Sequence, residues 1–338
     1  MGFVVLVRAV LADDATRAAL AAHAGVAVAL AIFALVVWLN VDSWRSHDQF
    51  FVERDPSLSY PYLDSTVSNE ALAVMSKLLP LVCIVLSVSA RVKFSPTRVG
   101  HAPGSAGLPG PLIEDADPKS DPVFASRVDA VRALMFEIVC YCQALALTMG
   151  TYNACKSFVG RLRPNFFAAC DYKGYKHAMS TGNYTDYLAA TTPGAPGDVT
   201  HCRAARADVD EASLSFPSGH AGLSFVAMTW STMALIRALS VERRYLGKTI
   251  GASSTDVFRS SSNMAPVVSA AQAAACLPMA YATYVACTRV VDYKHRPADV
   301  IAGALIGAVF AWACAPRHLS GWGVRLAKPA DETNRRPV

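Results

Sequence analysis

Three short stretches of the 338-residue chain carry side chains able to act on a multiply charged anion. The first, KSFVGRLRP at residues 156–164, holds Lys156 and Arg163 seven positions apart. That is two helical turns, so both cations share a face if the helix continues to Pro164. The second, FPSGH at 216–220, ends a polar loop and opens an apolar run. Ser218 and Gly219 there stand at a helix N-terminus, where free N–H groups and the helix dipole favour phosphate, and glycine lets an anion approach the backbone. The third, TRVVDYKHRPAD at 288–299, supplies Arg289, His295 and Asp299. Asp299 follows His295 by four residues, within reach to orient the imidazole. An imidazole held in one tautomer can attack phosphorus, and a second one, His220, can protonate the departing alkoxide. Two histidines with one carboxylate suit double displacement. The neighbouring Arg161, Lys294 and Arg296 read as boundary cations whose heads snorkel to water.

What brings three separated stretches together is the hydrophobic content. The chain is 53% hydrophobic and only 17% charged, with a mean hydropathy of +0.30, more apolar material than one soluble core needs. Six runs are long enough to cross a bilayer core, at roughly 18–40, 70–90, 133–154, 219–239, 264–288 and 298–316. Lys77, Glu137 and Gln143 interrupt two of them, and polar groups in such runs usually face other helices. Gly303 and Gly307 permit close helix approach in the last. The expected fold is an all-α integral membrane protein, a single six-span unit over 1–338, with the site at the exterior or luminal ends of spans 3 to 6. The first run is read as a retained anchor rather than a cleaved leader, and Gly2 lacks the pattern for a lipid anchor.

The connecting segments set the orientation. The Gly/Pro-rich loop 91–127, the basic then Ser-rich linker 240–263 and the tail 317–338 are expected on the cytosolic side, where they concentrate Lys and Arg. The 165–218 segment is then an exterior or luminal cap. It holds the acceptor pattern Asn183-Tyr184-Thr185 and the two loop cysteines, Cys170 and Cys202, which an oxidising compartment would pair. Cys83, Cys140, Cys142, Cys155, Cys276, Cys287 and Cys314 read as small core residues without metal-ligand spacing. Alternating spans then carry all three chemical stretches to the exterior face. The net charge of +5 forms no basic block, which argues against nucleic acid as a partner.

KSFVGRLRP fits Lys-x6-Arg-Pro, PSGH fits a second signature, and TRVVDYKHRPAD fits Ser-Arg-x5-His-x3-Asp apart from Thr288 in the serine position. Together they resemble the type 2 phosphatidic acid phosphatase superfamily, in its lipid phosphate phosphatase branch. The resemblance implies His295 as the nucleophile that becomes phosphorylated, Asp299 as the residue that positions it, and His220 as the acid that then activates water. It implies phosphate binding by Lys156, Arg163, Ser218, Gly219 and Arg289, with neither metal nor cofactor. The implied substrates are lipid phosphates: phosphatidate, lysophosphatidate, sphingosine 1-phosphate, ceramide 1-phosphate or diacylglycerol pyrophosphate. The implied setting is the plasma membrane or an endomembrane, with homo-oligomerisation left open. The alternatives are a sugar phosphate or polyprenyl diphosphate phosphatase of the same superfamily, or a catalytically silent lipid-binding scaffold.

Overall fold

The structure, a computed structural model, describes residues 2–40, 49–93, 122–249 and 269–316. Six helices are long and apolar enough to cross a membrane: Asp14–Leu39, Asn69–Ala90, Arg127–Val159, Gly219–Leu239, Ser269–Val291 and Pro297–Cys314. They agree with the six expected runs to within a few residues, and the described residues are helical with no strand beyond isolated bridges. In chain order the helices are α1 (Phe3–Ala12), α2 (Asp14–Leu39), α3 (Asn69–Lys93), α4 (Pro122–Val159), α5 (Phe166–Ala169), α6 (Tyr175–Thr181), α7 (Thr185–Ala190), α8 (Arg206–Ala212), α9 (Gly219–Thr249), α10 (Leu277–Val291) and α11 (Pro297–Cys314). Both ends of the expected 91–127 loop and the first ten residues of the 240–263 linker are thus helical. Residues 94–121, 250–268 and the 317–338 tail lie outside the described residues.

Helix α9 is the hub, packed against α3, α4, α10 and α11. Its Val226, Met228 and Trp230 are fully buried against Ile84, Tyr141, Ala282 and Ala311, and such contacts hold helices together where no water can drive them. The α9–α11 contact depends on glycine: a Cβ on Gly303 would lie 2.2 Å from the Ser218 carbonyl oxygen, and one on Gly307 2.2 Å from that of Gly222. Gly303→Val is therefore expected to force α11 away from the start of α9, at a cost of about 1–3 kcal/mol. Thermal unfolding in detergent measures this, with Gly25→Val, which meets nothing within 4 Å, as the control that leaves the midpoint in place.

The polar residues within the spans divide. Glu137 pairs with Arg237 at 2.8 Å, and the Gln143 amide donates to the His23 carbonyl at 2.8 Å, so both face neighbouring helices. Lys77 instead sits on the exposed side of α3, where its long stem lets the ammonium reach towards the membrane boundary. Of the span cysteines, Cys83 and Cys140 are buried, but Cys142 and Cys287 on helix faces and Cys276 at the cap of α10 are exposed and are not core residues.

The 165–218 segment folds into a cap of short helices over one end of the bundle. Its core is aromatic: Phe166, Phe167, Tyr172, Tyr175 and Tyr187 pack together with Phe51 and Leu58 from the segment before α3. Glu53 ties that segment down, accepting from Lys173 Nζ at 2.5 Å, Tyr172 OH at 2.9 Å and Thr192 N at 2.7 Å. Cys170 and Cys202, 32 residues apart, are joined in a disulfide. Asn183 is exposed on the same cap, and its Oδ1 accepts from Thr185 N.

Candidate active site

Helix α4 stops where the sequence changes its backbone requirement. Gly160 takes φ +56° and returns its N–H to the Lys156 carbonyl at 2.9 Å, a left-handed glycine cap. Lys156 and Arg163 therefore do not share a helix face as their spacing suggested. Arg163 arrives instead on an extended turn whose backbone is stitched to the approach to α9: Arg163 N donates to Ala212 O and Ser215 N to Arg161 O, each at 2.8 Å. The same stitching sets Ser218 at the start of α9. Its N–H is taken by the Asp299 carbonyl at 2.9 Å, so the N–H groups open to an anion there are those of Gly219 and His220.

Helix α11 begins with Pro297 at its first turn and a capping box in which Asp299 accepts from Arg296 N. The loop before it folds back tightly, with Lys294 N and His295 N both donating to Arg289 O at 3.1 Å. These local devices bring Lys156, Arg163, Gly219, His220 and His295 to the wall of one cavity of about 1070 Å³. The three stretches thus meet at one end of the bundle, beneath the cap.

The Asp299 assignment needs correction. Its carboxylate is wholly buried and binds Arg161 Nη1 at 2.9 Å, Ser215 Oγ at 2.6 Å and Arg296 N at 2.9 Å. It has no hydrogen bond to His295 among the described contacts. The imidazole Nδ1 lies 2.7 Å from the Ser215 carbonyl oxygen instead. A carbonyl only accepts, so Nδ1 carries the proton and Nε2 keeps its lone pair. Asp299 is linked to the ring only through Ser215, which bonds both. Burial, with the cations Arg163 and Lys156 adding to it, holds His295 well below the ordinary imidazole range, which favours the neutral ring. His220 Nε2 is 3.3 Å from the Val67 carbonyl, which makes that nitrogen the protonated one.

Arg289 is buried and braced. Its Nε and Nη2 donate to Thr288 Oγ1 at 3.1 and 3.0 Å, and Nη2 reaches Asp292 Oδ2 at 2.7 Å. Thr288 thus supplies the hydroxyl contact expected of serine. Asp292 in turn accepts from Thr66 N and Oγ1, tying the segment before α3 to the site. Arg163 pairs with Glu211 of α8 at 3.0 Å, and the guanidinium is the main reason that carboxyl titrates below its usual range.

Two cations read as snorkelling do otherwise: Arg161 pairs with Asp299, and Arg296 Nη2 bonds Ser57 Oγ at 3.1 Å. Sequence reasoning also passed over Ser215, Glu211, Asp292 and Thr66. Asp292 alone had a signal, standing three residues after Arg289.

Residues 137–319, more than half of the chain and all three stretches, match the PAP2 superfamily. Phospholipid phosphatase 2 of Homo sapiens is 32% identical over 166 residues, 49% of this chain and 45% of that protein. Phospholipid phosphatase 1 of Mus musculus is 27% identical over 259 residues, 76% and 70% of the two chains. Lipid phosphate phosphatase 1 of Arabidopsis thaliana is 31% identical over 189 residues, 53% and 46%. The chain spans about half the length of several curated relatives it matches. No solved structure matches it. Lys156, Arg163, Gly219, His220 and His295 line the cavity, while Ser218, Arg289 and Asp299 are buried behind its wall; with the matched region carrying all of them, this chain belongs to the PAP2 superfamily.

Proposed function

We propose that this protein is a metal-independent phosphatase of lipid phosphates, acting through a phosphohistidine at His295. The observation that carries the reading is the lining of the cavity. Its wall joins Lys156, Arg163, His220 and His295 to Leu35 and Trp38 of α2, Leu72 of α3, and Leu145 and Met149 of α4, the last two lying two to three turns down α4 from Lys156. Leu35 and Trp38 are exposed on the outer face of α2. A continuous polar-to-apolar cavity suits an amphiphile, with its phosphate among the cations and its acyl chain along the helices. A sugar phosphate would leave the apolar part unused, so the cavity favours the lipid reading over that alternative.

The chemistry starts from the Nδ1–H tautomer of His295, with His220 taking up its second proton when the dianionic phosphate binds beside it. The lone pair of His295 Nε2 attacks phosphorus while Lys156, Arg163, Arg289 and the N–H groups of Gly219 and His220 balance the charge on the equatorial oxygens. The bond from phosphorus to the lipid oxygen breaks, and protonated His220 gives that oxygen its proton, releasing the alcohol. His220, now neutral, takes a proton from water. The water oxygen bonds to phosphorus, the P–N bond breaks with its electron pair returning to Nε2, and inorganic phosphate leaves.

The substrate class comprises phosphatidate, lysophosphatidate, sphingosine 1-phosphate, ceramide 1-phosphate and diacylglycerol pyrophosphate. The cap carries a disulfide and an exposed Asn183 at the end where the site lies, which supports an exterior or luminal active face, with the 94–121 loop and 317–338 tail cytosolic. Phosphate release from phosphatidate in detergent containing excess EDTA is the test. Undiminished release is expected. Release that requires a divalent metal would overturn the metal-free mechanism, preference for a sugar phosphate would overturn the lipid reading, and no release from any phosphate ester would leave a silent scaffold.

A further inference from the structure

Beneath the cap a second, smaller cavity of about 140 Å³ shares Arg163 and Glu211 with the catalytic one. Tyr62, Asn165, Lys176, Asp208 and Lys294 complete its polar wall. Asn165 is wholly buried, and neither its Nδ2 nor its Oδ1 has a hydrogen-bond partner. Each such unmet group costs about 1–3 kcal/mol, and native proteins rarely leave one without a reason. The buried Lys294 ammonium lies 3.9 Å from the centre of the Tyr62 ring, and Lys176 approaches the same ring at 5.8 Å from the cap surface. Arg163, Lys176 and Lys294 outnumber the carboxylates Asp208 and Glu211, so the pocket attracts an anion.

The occupant must be small, anionic, and able both to accept from an amide N–H and to donate to an amide oxygen. At ~30 Å³ of liquid volume per water the pocket has room for a hydrated tetrahedral oxyanion and none for an acyl chain. Hydrogenphosphate meets every condition, with P–O⁻ oxygens for Lys176, Lys294 and Asn165 Nδ2 and a P–OH for Asn165 Oδ1.

We infer that this pocket is a second orthophosphate subsite, on the aqueous side of Arg163, which receives the phosphate released at His295 while the lipid product leaves along the apolar cavity. The inference rests on the phosphatase reading for the source of its ligand. Arg163 faces both cavities and, apart from its contact with Glu211, has a buried Nε without a partner, so one guanidinium can hand the anion across.

Binding of radiolabelled inorganic phosphate to the full chain in detergent tests it without turnover. Two phosphates per chain are expected for the wild type, and one after Lys176→Ala or Asn165→Leu. Lys176 is exposed, so its variant decides the matter if the Asn165 variant does not fold. Saturation with a non-hydrolysable lipid phosphonate should displace one phosphate and leave one. Displacement of both would assign the pocket to the lipid headgroup and overturn the inference, as would a single wild-type site. In turnover, added phosphate should inhibit with a noncompetitive component that weakens roughly tenfold in Lys176→Ala, with phosphate-free initial rates unchanged. Strictly competitive inhibition, equal in the two proteins, would also overturn it. Two phosphates bound to a chain that hydrolyses no lipid would uphold the pocket and reject the phosphatase reading, so the two failures are distinguishable.

Discussion

His295→Ala is expected to abolish the phosphoenzyme and to lower turnover on the order of 10⁴-fold or more, whatever the leaving group. The nitrogen that attacks is gone, and the neighbouring His220, whose Nε2 is spent on the Val67 carbonyl, serves as proton donor and not as nucleophile in this reading. His220→Ala should behave differently, because it leaves the nucleophile and the phosphate cradle in place and removes only the proton donor. With an alkyl lipid phosphate the loss should be on the order of 10²–10⁴-fold. With an aryl phosphate, whose leaving group needs little protonation, formation of phosphohistidine should recover. The labelled intermediate should then accumulate, since water also lacks its base. Acid-quench trapping of radiolabelled protein, with both substrates and both variants, measures this. Label on His295→Ala, or a His220→Ala deficit indifferent to the leaving group, would reverse the roles.

The parts of this site legible in the sequence were those set by local chemistry. Six apolar runs of span length leave one arrangement of alternating helices, and that alone carries Lys156, His220 and His295 to one end. Pro164 marked the outer limit of α4, but the helix stops earlier, at the left-handed Gly160, so the spacing of Lys156 and Arg163 misled. The parts that were not legible depend on contacts distant in sequence. Arg161 finds Asp299 across 138 residues, His295 finds the Ser215 carbonyl across 80, and Asp292 is reached by Thr66 across 226. None of these pairs has a periodicity, since each involves at least one irregular segment whose place depends on how the cap seats on the bundle. A four-residue separation of His295 and Asp299 invited a direct hydrogen bond. The capping box at Arg296 turns that carboxylate towards the backbone and towards Ser215 instead.

That displacement yields the second large effect. Asp299→Asn should lower the rate of phosphohistidine formation on the order of 10²–10⁴-fold with little change in KM, through Ser215 rather than by freeing the imidazole directly. The carboxylate oxygens accept from three donors, the Arg161 guanidinium, the Ser215 hydroxyl and Arg296 N. An amide offers one acceptor and one donor in their place, so it must leave one donor unmet and Arg161 without its countercharge, and breaking a buried pair from one side is costly. Release of Ser215 loosens the carbonyl that keeps the proton on His295 Nδ1. Once the proton can shift to Nε2, the attacking lone pair is lost in part of the population. Ser215→Ala removes the hydroxyl link but keeps the carbonyl, so it should show a smaller loss of the same kind. Asp299→Asn with Ser215→Ala should then be scarcely worse than Asp299→Asn alone, a coupling of about 0.5–3 kcal/mol in the double-mutant cycle. Nitrogen-15 NMR of the imidazole should show the Nδ1–H tautomer in the wild type and a mixture in both single variants. Additive losses, with the tautomer unchanged in Ser215→Ala, would return Asp299 to direct contact with His295 in the working enzyme.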